Sequence, residues 1–188
     1  MSYAIPTNEL TLTDIKAFKN SAIEAGIARA LALGLARSRE ELVVREAFPN
    51  TDFGAGGVGW TTEEYISGAI AAAGWGSPFD AGALPANAPT LARTKVAVFY
   101  KFADTEANPV VTAVRFRVGA TGATTKASFF IQLPTNVKLE PDVYFSEPVV
   151  YDPEDVLYIE CYYTGAVAVA EHIPFGCFIV ERIGATVS

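Results

Sequence analysis

The pattern of apolar and polar residues changes character near residue 91. From Arg93 onward apolar side chains recur at every second position, the spacing of a strand with one buried face. The runs 94–103, 110–119, 126–134, 142–151, 155–164 and 173–183 are rich in Val, Ile, Phe and Tyr and end at turn residues, so each predicts a strand. In Val114-Arg115-Phe116-Arg117-Val118 the alternation is strict, with Val, Phe and Val toward a core and the arginines facing out. Next, Phe129, Ile131 and Leu133 share one face, and Ser128, Phe130 and Gln132 the other. Leu157, Ile159, Cys161 and Tyr163 likewise oppose Val156, Tyr158, Glu160 and Tyr162. Six strands without intervening helices predict a mainly β chain, an antiparallel β-sandwich of jelly-roll-like type over 91–188.

Residues 1–90 read differently. Thr11 and Asp14 predict a helix cap, followed by Ile15, Phe18 and Ala22 on one face and by Ile23, Ile27, Leu31 and Leu35 at four-residue spacing. Only Lys16, Lys19, Glu24 and Arg29 mark a polar face, so the helix must dock on something. Ser38 and Glu41 fit a capping box for a short helix through Glu46, although Leu42-Val43-Val44 suits a strand as well. Thr61 and Glu64 predict a further helix over 62–73. Residues 49–60 are a glycine-rich loop, and 74–92 read as an extended crossing segment rich in Gly and Pro. Residues 1–90 are therefore expected to form a helical and extended N-terminal arm.

Composition narrows the function classes. The chain has 188 residues, a net charge of −7 and only 19% charged residues; its mean hydropathy is +0.25. An acidic protein lacks the clustered Lys and Arg that neutralise phosphates, so nucleic acid is not an expected partner. The most apolar stretch, Ala25–Ala36, is 12 residues long and contains Arg29, against the roughly 20 that a bilayer span needs. No membrane partner is expected either. Residues 1–14 lack a positive n-region and an apolar h-region, which predicts a chain made and kept in a cytoplasm. Cys161 and Cys177 match no metal or redox spacing; two buried thiols are the favoured reading and a disulfide between neighbouring strands the alternative.

Few residues offer chemistry. Gly54-Ala55-Gly56-Gly57-Val58-Gly59 fits G-x-G-x-x-G, but Pro49-Asn50-Thr51-Asp52 before it is loop, where dinucleotide binding requires a strand. It is expected to let two chains approach closely instead. His172 is the single histidine and stands before Ile173-Pro174, where no triad or histidine-rich metal site is implied. Asp152-Pro153-Glu154-Asp155 reads as an Asp-Pro turn, since the ligand spacing of a calcium loop is missing. No pair of acids is singled out for glycoside hydrolysis. Trp60, Trp75, Tyr144, Tyr158, Tyr162 and Tyr163 suit either a ligand platform or cores and subunit contacts, with the second favoured. No catalytic, cofactor-binding or metal residue is assigned.

Charge is segregated along the chain. Residues 93–126 carry Arg93, Lys95, Lys101, Arg115, Arg117 and Lys126 against Asp104 and Glu106. Residues 139–181 carry Glu140, Asp142, Glu147, Asp152, Glu154, Asp155, Glu160, Glu171 and Glu181, with no Lys or Arg. Two explanations stand equal: complementary surfaces on neighbouring copies, or neighbouring strands that neutralise one another within one subunit.

From Arg93 to Ile183 the chain resembles the single jelly-roll and related β-sandwich proteins of virus and tailed-phage particles. The resemblance rests on runs such as Val114-Arg115-Phe116-Arg117-Val118, Phe129-Phe130-Ile131-Gln132-Leu133 and Leu157-Tyr158-Ile159-Glu160-Cys161, joined by Gly, Thr, Asn and Pro turns. It covers about half the chain and has no diagnostic motif. It implies a capsid, cement (decoration) or other virion protein that forms homo-oligomers, contacts other structural proteins through its arm, catalyses nothing, and resides in the virion after synthesis in the host cytoplasm. A carbohydrate- or receptor-binding module is the alternative, and an enzyme using His172 a distant third.

Overall fold

A computed structural model describes residues 4–53, 65–66, 73–76, 89–103, 110–119, 124–130, 142–166 and 172–184. The body is two antiparallel sheets packed face to face, with one long helix laid on the outside of the larger sheet.

The larger sheet has the order β1-β8-β5-β11-β2, from β1 (Ala4–Pro6), β8 (Val143–Tyr151), β5 (Lys95–Phe102), β11 (Phe175–Arg182) and β2 (Leu42–Glu46). The smaller has the order β4-β9-β6-β7, from β4 (Gly74–Gly76), β9 (Leu157–Tyr163), β6 (Val111–Val118) and β7 (Thr124–Phe130). A two-stranded piece joins β3 (Tyr65–Ile66) to β10 (His172–Ile173). Every pair is antiparallel. The mainly β, antiparallel sandwich with an N-terminal helix is thus the observed fold. Strands on both sides of residue 90 pair in the same sheets.

All six expected strands are present, within two residues at the described ends; the end of the 126–134 run lies outside the described residues. The core between the sheets is aromatic. Phe129 stacks on Phe145 at 4.2 Å, and Phe116 meets Phe99 at 5.3 Å and Phe145 at 5.4 Å, each contact crossing from one sheet to the other.

Helix α1 (Leu12–Ala32) begins as its sequence directs. The Thr11 hydroxyl accepts from the Asp14 N–H at 3.2 Å, and the Asp14 carboxylate accepts from the Thr11 N–H at 2.8 Å, a complete capping box. It ends in a Schellman motif. Gly34 sits at φ +72°, its N–H donates to Leu31 O, and the Leu35 N–H donates to Ala30 O. Ala22, Ile27 and Ala30, flanked by Ile15, Phe18, Ile23 and Leu31, bury against Val96, Val98, Tyr100, Tyr144, Phe178 and Val180. The apolar stripe expected to dock on a neighbouring subunit therefore docks on the sheet of its own chain. Gly26 permits the approach: a Cβ there would lie 2.7 Å from Val180 Cγ2 and 2.8 Å from Val98 Cγ2. Covered on both faces, β5 and β11 read as continuous apolar runs rather than alternating ones.

One open reading is decided and one expected helix is corrected. Residues Arg39–Glu41 form one 3-10 turn, and 42–46 are strand β2, with Val44 opposite Val180. Ser38 makes no capping bond through its side chain. The β-branched Val43-Val44 pair finds a free sheet edge, and that contact outweighs the local helix signal. Tyr65–Ile66 is strand, paired with Ile173 and His172, where a helix over 62–73 was expected. Thr61 and Glu64, which carried that expectation, lie outside the described residues.

Candidate functional site

The polar chemistry of the sandwich is concentrated on the outer face of the four-stranded sheet. Because Leu157, Ile159, Cys161 and Tyr163 of β9 face the core, Tyr158, Glu160 and Tyr162 face away from it. Register places Arg115 opposite Glu160 and Arg117 opposite Tyr158. It also sets out a row running Phe130, Ala113, Tyr162 and Trp75 across all four strands.

Glu160 is fully buried. Arg115 donates to both its carboxylate oxygens, with the second bond at 2.9 Å, while Arg117 adds a single bond from Nη1 at 3.2 Å. The Arg115 guanidinium stacks over the Trp75 ring at 4.0 Å, and Arg117 lies over Tyr158 at 5.3 Å. Trp75 in turn meets Tyr162 edge-on at 5.4 Å. Arg117 Nε is buried and has no hydrogen-bond partner among the described residues.

A second charged cluster fastens the edge of the larger sheet. Asp52, in the four-residue helix α2 (Pro49–Asp52), is buried and accepts from Arg45 Nη1 and Nη2, from Lys95 Nζ at 2.8 Å and from the Phe48 N–H. Arg45 Nε reaches Glu181 at 2.9 Å. Burial pushes the Asp52 carboxyl up, but the donors on it prevail and hold it below the usual carboxylate range. Nearby, burial drives the Tyr100 phenol far above its ordinary value, with the carboxylate of Glu46, which accepts its O–H at 3.0 Å, adding to the effect.

The two explanations of charge segregation are now separable. Each of the six bases between 93 and 126 pairs with an acid of the same chain. The pairs are Arg93–Glu154, Lys95–Asp52, Lys101–Asp142, Arg115–Glu160, Arg117–Glu160 and Lys126–Asp155. Five of the six join the basic segment to the acidic one, because the order of strands sets β6 beside β9 and β5 beside β8. Every base of the segment is thus paired within the chain, Arg115 and Arg117 sharing one carboxylate.

The remaining candidates fall into structural roles. In the 152–155 turn, Asp152 takes a bidentate bond from Arg29 of α1, its N–H donates to Asp155, and Glu154 stands at φ +64° after Pro153. These bonds use the turn's carboxylates for holding the helix and closing the turn. Among the described residues no group of three or more His, Cys, Asp and Glu is placed to hold a metal. His172 lies on β10, opposite Ile66. Cys161 and Cys177 are buried thiols on different sheets, and burial raises Cys177 well above its usual value. Tyr144 packs beneath α1 against Phe18, and Tyr163 lies in the core. Gly54–Gly59 and Trp60 lie outside the described residues. An open cleft of about 490 Å³ is lined by Gly34, Leu35, Thr94, Arg182, Ile183 and Gly184; its single charge, Arg182, pairs with Glu41 at 3.7 Å. Among the described residues no helix is long and apolar enough to cross a membrane.

Sequence reasoning placed Arg115 and Arg117 on one face of β6 and Glu160 on one face of β9. It did not join them, nor bring Trp75 onto Arg115 from a segment 40 residues before it. No family model, curated protein or solved structure matches the chain.

Proposed function

We propose that the chain is a structural, non-catalytic subunit of a protein assembly, of the kind that builds virus and tailed-phage particles as capsid, cement (decoration) or other virion protein. It works by contact with copies of itself and with other structural proteins. The observation that carries the reading is the apolar surface left over once the sandwich and helix have packed. Phe130 is 76% exposed, Leu12 67% and Ile183 61%, and Phe48, Leu33 and Val43 are also exposed. Apolar side chains of this size are the contacts that such a subunit would offer to other proteins. The strand edges favour contact through side chains rather than strand addition. Pro6 sits in the three-residue edge strand β1, and Lys126, at a bulge in edge strand β7, turns its ammonium to Asp155 and over the Tyr151 ring. Proline and an inward-turned lysine are devices that keep edges from pairing. Light scattering over a dilution series tests the reading. A mass above one chain, reduced by Phe130→Ser or Ile183→Ser, is expected. A monomer at all concentrations, unchanged in these variants and without a co-purified partner, would overturn it.

A carbohydrate- or receptor-binding module is the second reading. The row of Phe130, Tyr162 and Trp75 beside two arginines on one sheet face favours it.

A further inference from the structure

One sheet edge, that of β2, is the exception to the protection seen at the others. Pro6 protects β1, a bulge and Lys126 protect β7, and β4 is a three-residue strand with two glycines. β2 runs five residues in unbroken register with β11, without proline or bulge. The two ends of this ladder show which way its backbone groups point. The Ala47 N–H donates to Cys177 O and the Ile183 N–H to Glu41 O, each at 2.8 Å. Between them, Val43 stands opposite Glu181 and Arg45 opposite Ile179. The ladder bonds therefore fall on residues 41, 43, 45 and 47, and the N–H and C=O groups of Leu42, Val44 and Glu46 point away from β11, past the edge of the sheet. The Leu42 N–H turns back to Arg39 O, but the N–H groups of Val44 and Glu46 meet no acceptor among the described residues. Glu46 is exposed and Val43 is 39% exposed, so the edge is open.

Free donors and free acceptors on one strand make it complementary to itself. Turned antiparallel about Val44, two copies of β2 exchange bonds between their Val44 residues, and the Glu46 N–H of each reaches Leu42 O of the other. The side chains suit this register. Val43 faces the stem of Arg45 of the second copy, and Glu41 lies on the diagonal from that arginine, which is still 29% exposed beside Asp52 and Glu181. An in-register parallel pairing would instead set Arg45 beside Arg45. The Glu46 carboxylate is held within its own chain by the Tyr100 O–H and by Lys19 at 3.8 Å. We infer that β2 is a dimer contact, which joins the larger sheets of two copies into one continuous sheet across a two-fold axis. The inference rests on the assembly reading above and names its partner, a second copy of this chain.

Light scattering over a dilution series, read together with amide hydrogen exchange, tests it on the full chain. The expected result is a mass of two chains that falls toward one on dilution, with exchange at Val44 and Glu46 slowed at least about tenfold in the dimer. Val44→Pro removes an outward donor and no bond to β11, so it should give a monomer. Val43→Lys, at a side chain already exposed, sets a second cation against Arg45 and should weaken the dimer at least about tenfold with an unchanged circular dichroism spectrum; it decides the matter where the proline variant does not fold. Exchange at Val44 and Glu46 that is independent of concentration overturns the inference. A dimer that survives Val43→Lys but is lost in Phe130→Ser overturns it too, while leaving the assembly reading in place. A chain that is a monomer at every concentration, its Val44 amide protected only by a co-purified protein, overturns the choice of a second copy as partner.

Discussion

Gly26→Ala puts the helix–sheet contact to a test whose sign is informative. At an exposed helical site this substitution stabilises by about 0.5–1 kcal/mol, because glycine loses more backbone freedom on folding. At Gly26 the added Cβ would sit 2.7 Å from Val180 Cγ2 and 2.8 Å from Val98 Cγ2. Both methyls belong to buried valines in neighbouring strands of one sheet, so neither can swing clear without moving backbone. Overpacking of this kind costs about 1–3 kcal/mol. The steric effect exceeds the propensity gain, and the net expectation is a loss of about 1 kcal/mol, or roughly 2–4 °C in Tm for a chain of this size. Urea unfolding followed by circular dichroism reads it, with Val180→Ala and the double variant completing a cycle. The double variant should be more stable than the sum of the singles by about 1 kcal/mol, since removing the Val180 methyls makes room for the methyl added at position 26. A Gly26→Ala chain more stable than wild type, or a cycle with no coupling, would mean that α1 does not lie on β5 and β11 of its own chain.

Asp52→Asn should cost about 3–5 kcal/mol in urea unfolding, because it leaves Lys95 buried without its countercharge. The same carboxyl gives a pH dependence: its folded value lies below the unfolded one, so the stabilisation is complete above the ordinary carboxylate range and is lost as pH falls through the lower folded value. Acid titration of stability should therefore be flatter below pH of about 4 in Asp52→Asn than in wild type; an unchanged slope would show that Asp52 is not held by these donors. Glu154 stands at φ +64°, a conformation that disfavours most side chains by about 1–2 kcal/mol. Its bond to Arg93 is exposed on both sides and adds little. Glu154→Gly is expected to stabilise slightly, by about 0.5 kcal/mol, and Glu154→Val to destabilise by about 1–2 kcal/mol, as read from urea midpoints.

What the sequence determines alone is whatever depends on neighbours a few residues away. The cap at Thr11 and Asp14, the turn at Pro153-Glu154 and the alternation through Val114–Val118 are short-range contests between backbone bonds and side-chain faces, and the fold agrees with each of them. Tertiary structure decides which strands are neighbours, and most of the candidate site follows from that. Arg115 and Glu160 are 45 residues apart, and only the placing of β6 beside β9 turns a basic segment and an acidic one into a closed ion cluster. The same holds for α1: its apolar stripe signals that it must dock, but the sheet of this chain, rather than a neighbouring copy, supplies the surface. Strand β2 is the clearest case of a choice that local sequence leaves open. Leu42-Val43-Val44 satisfies helix and strand locally, and an open edge beside β11 settles it by offering backbone partners that no residue within one turn can provide.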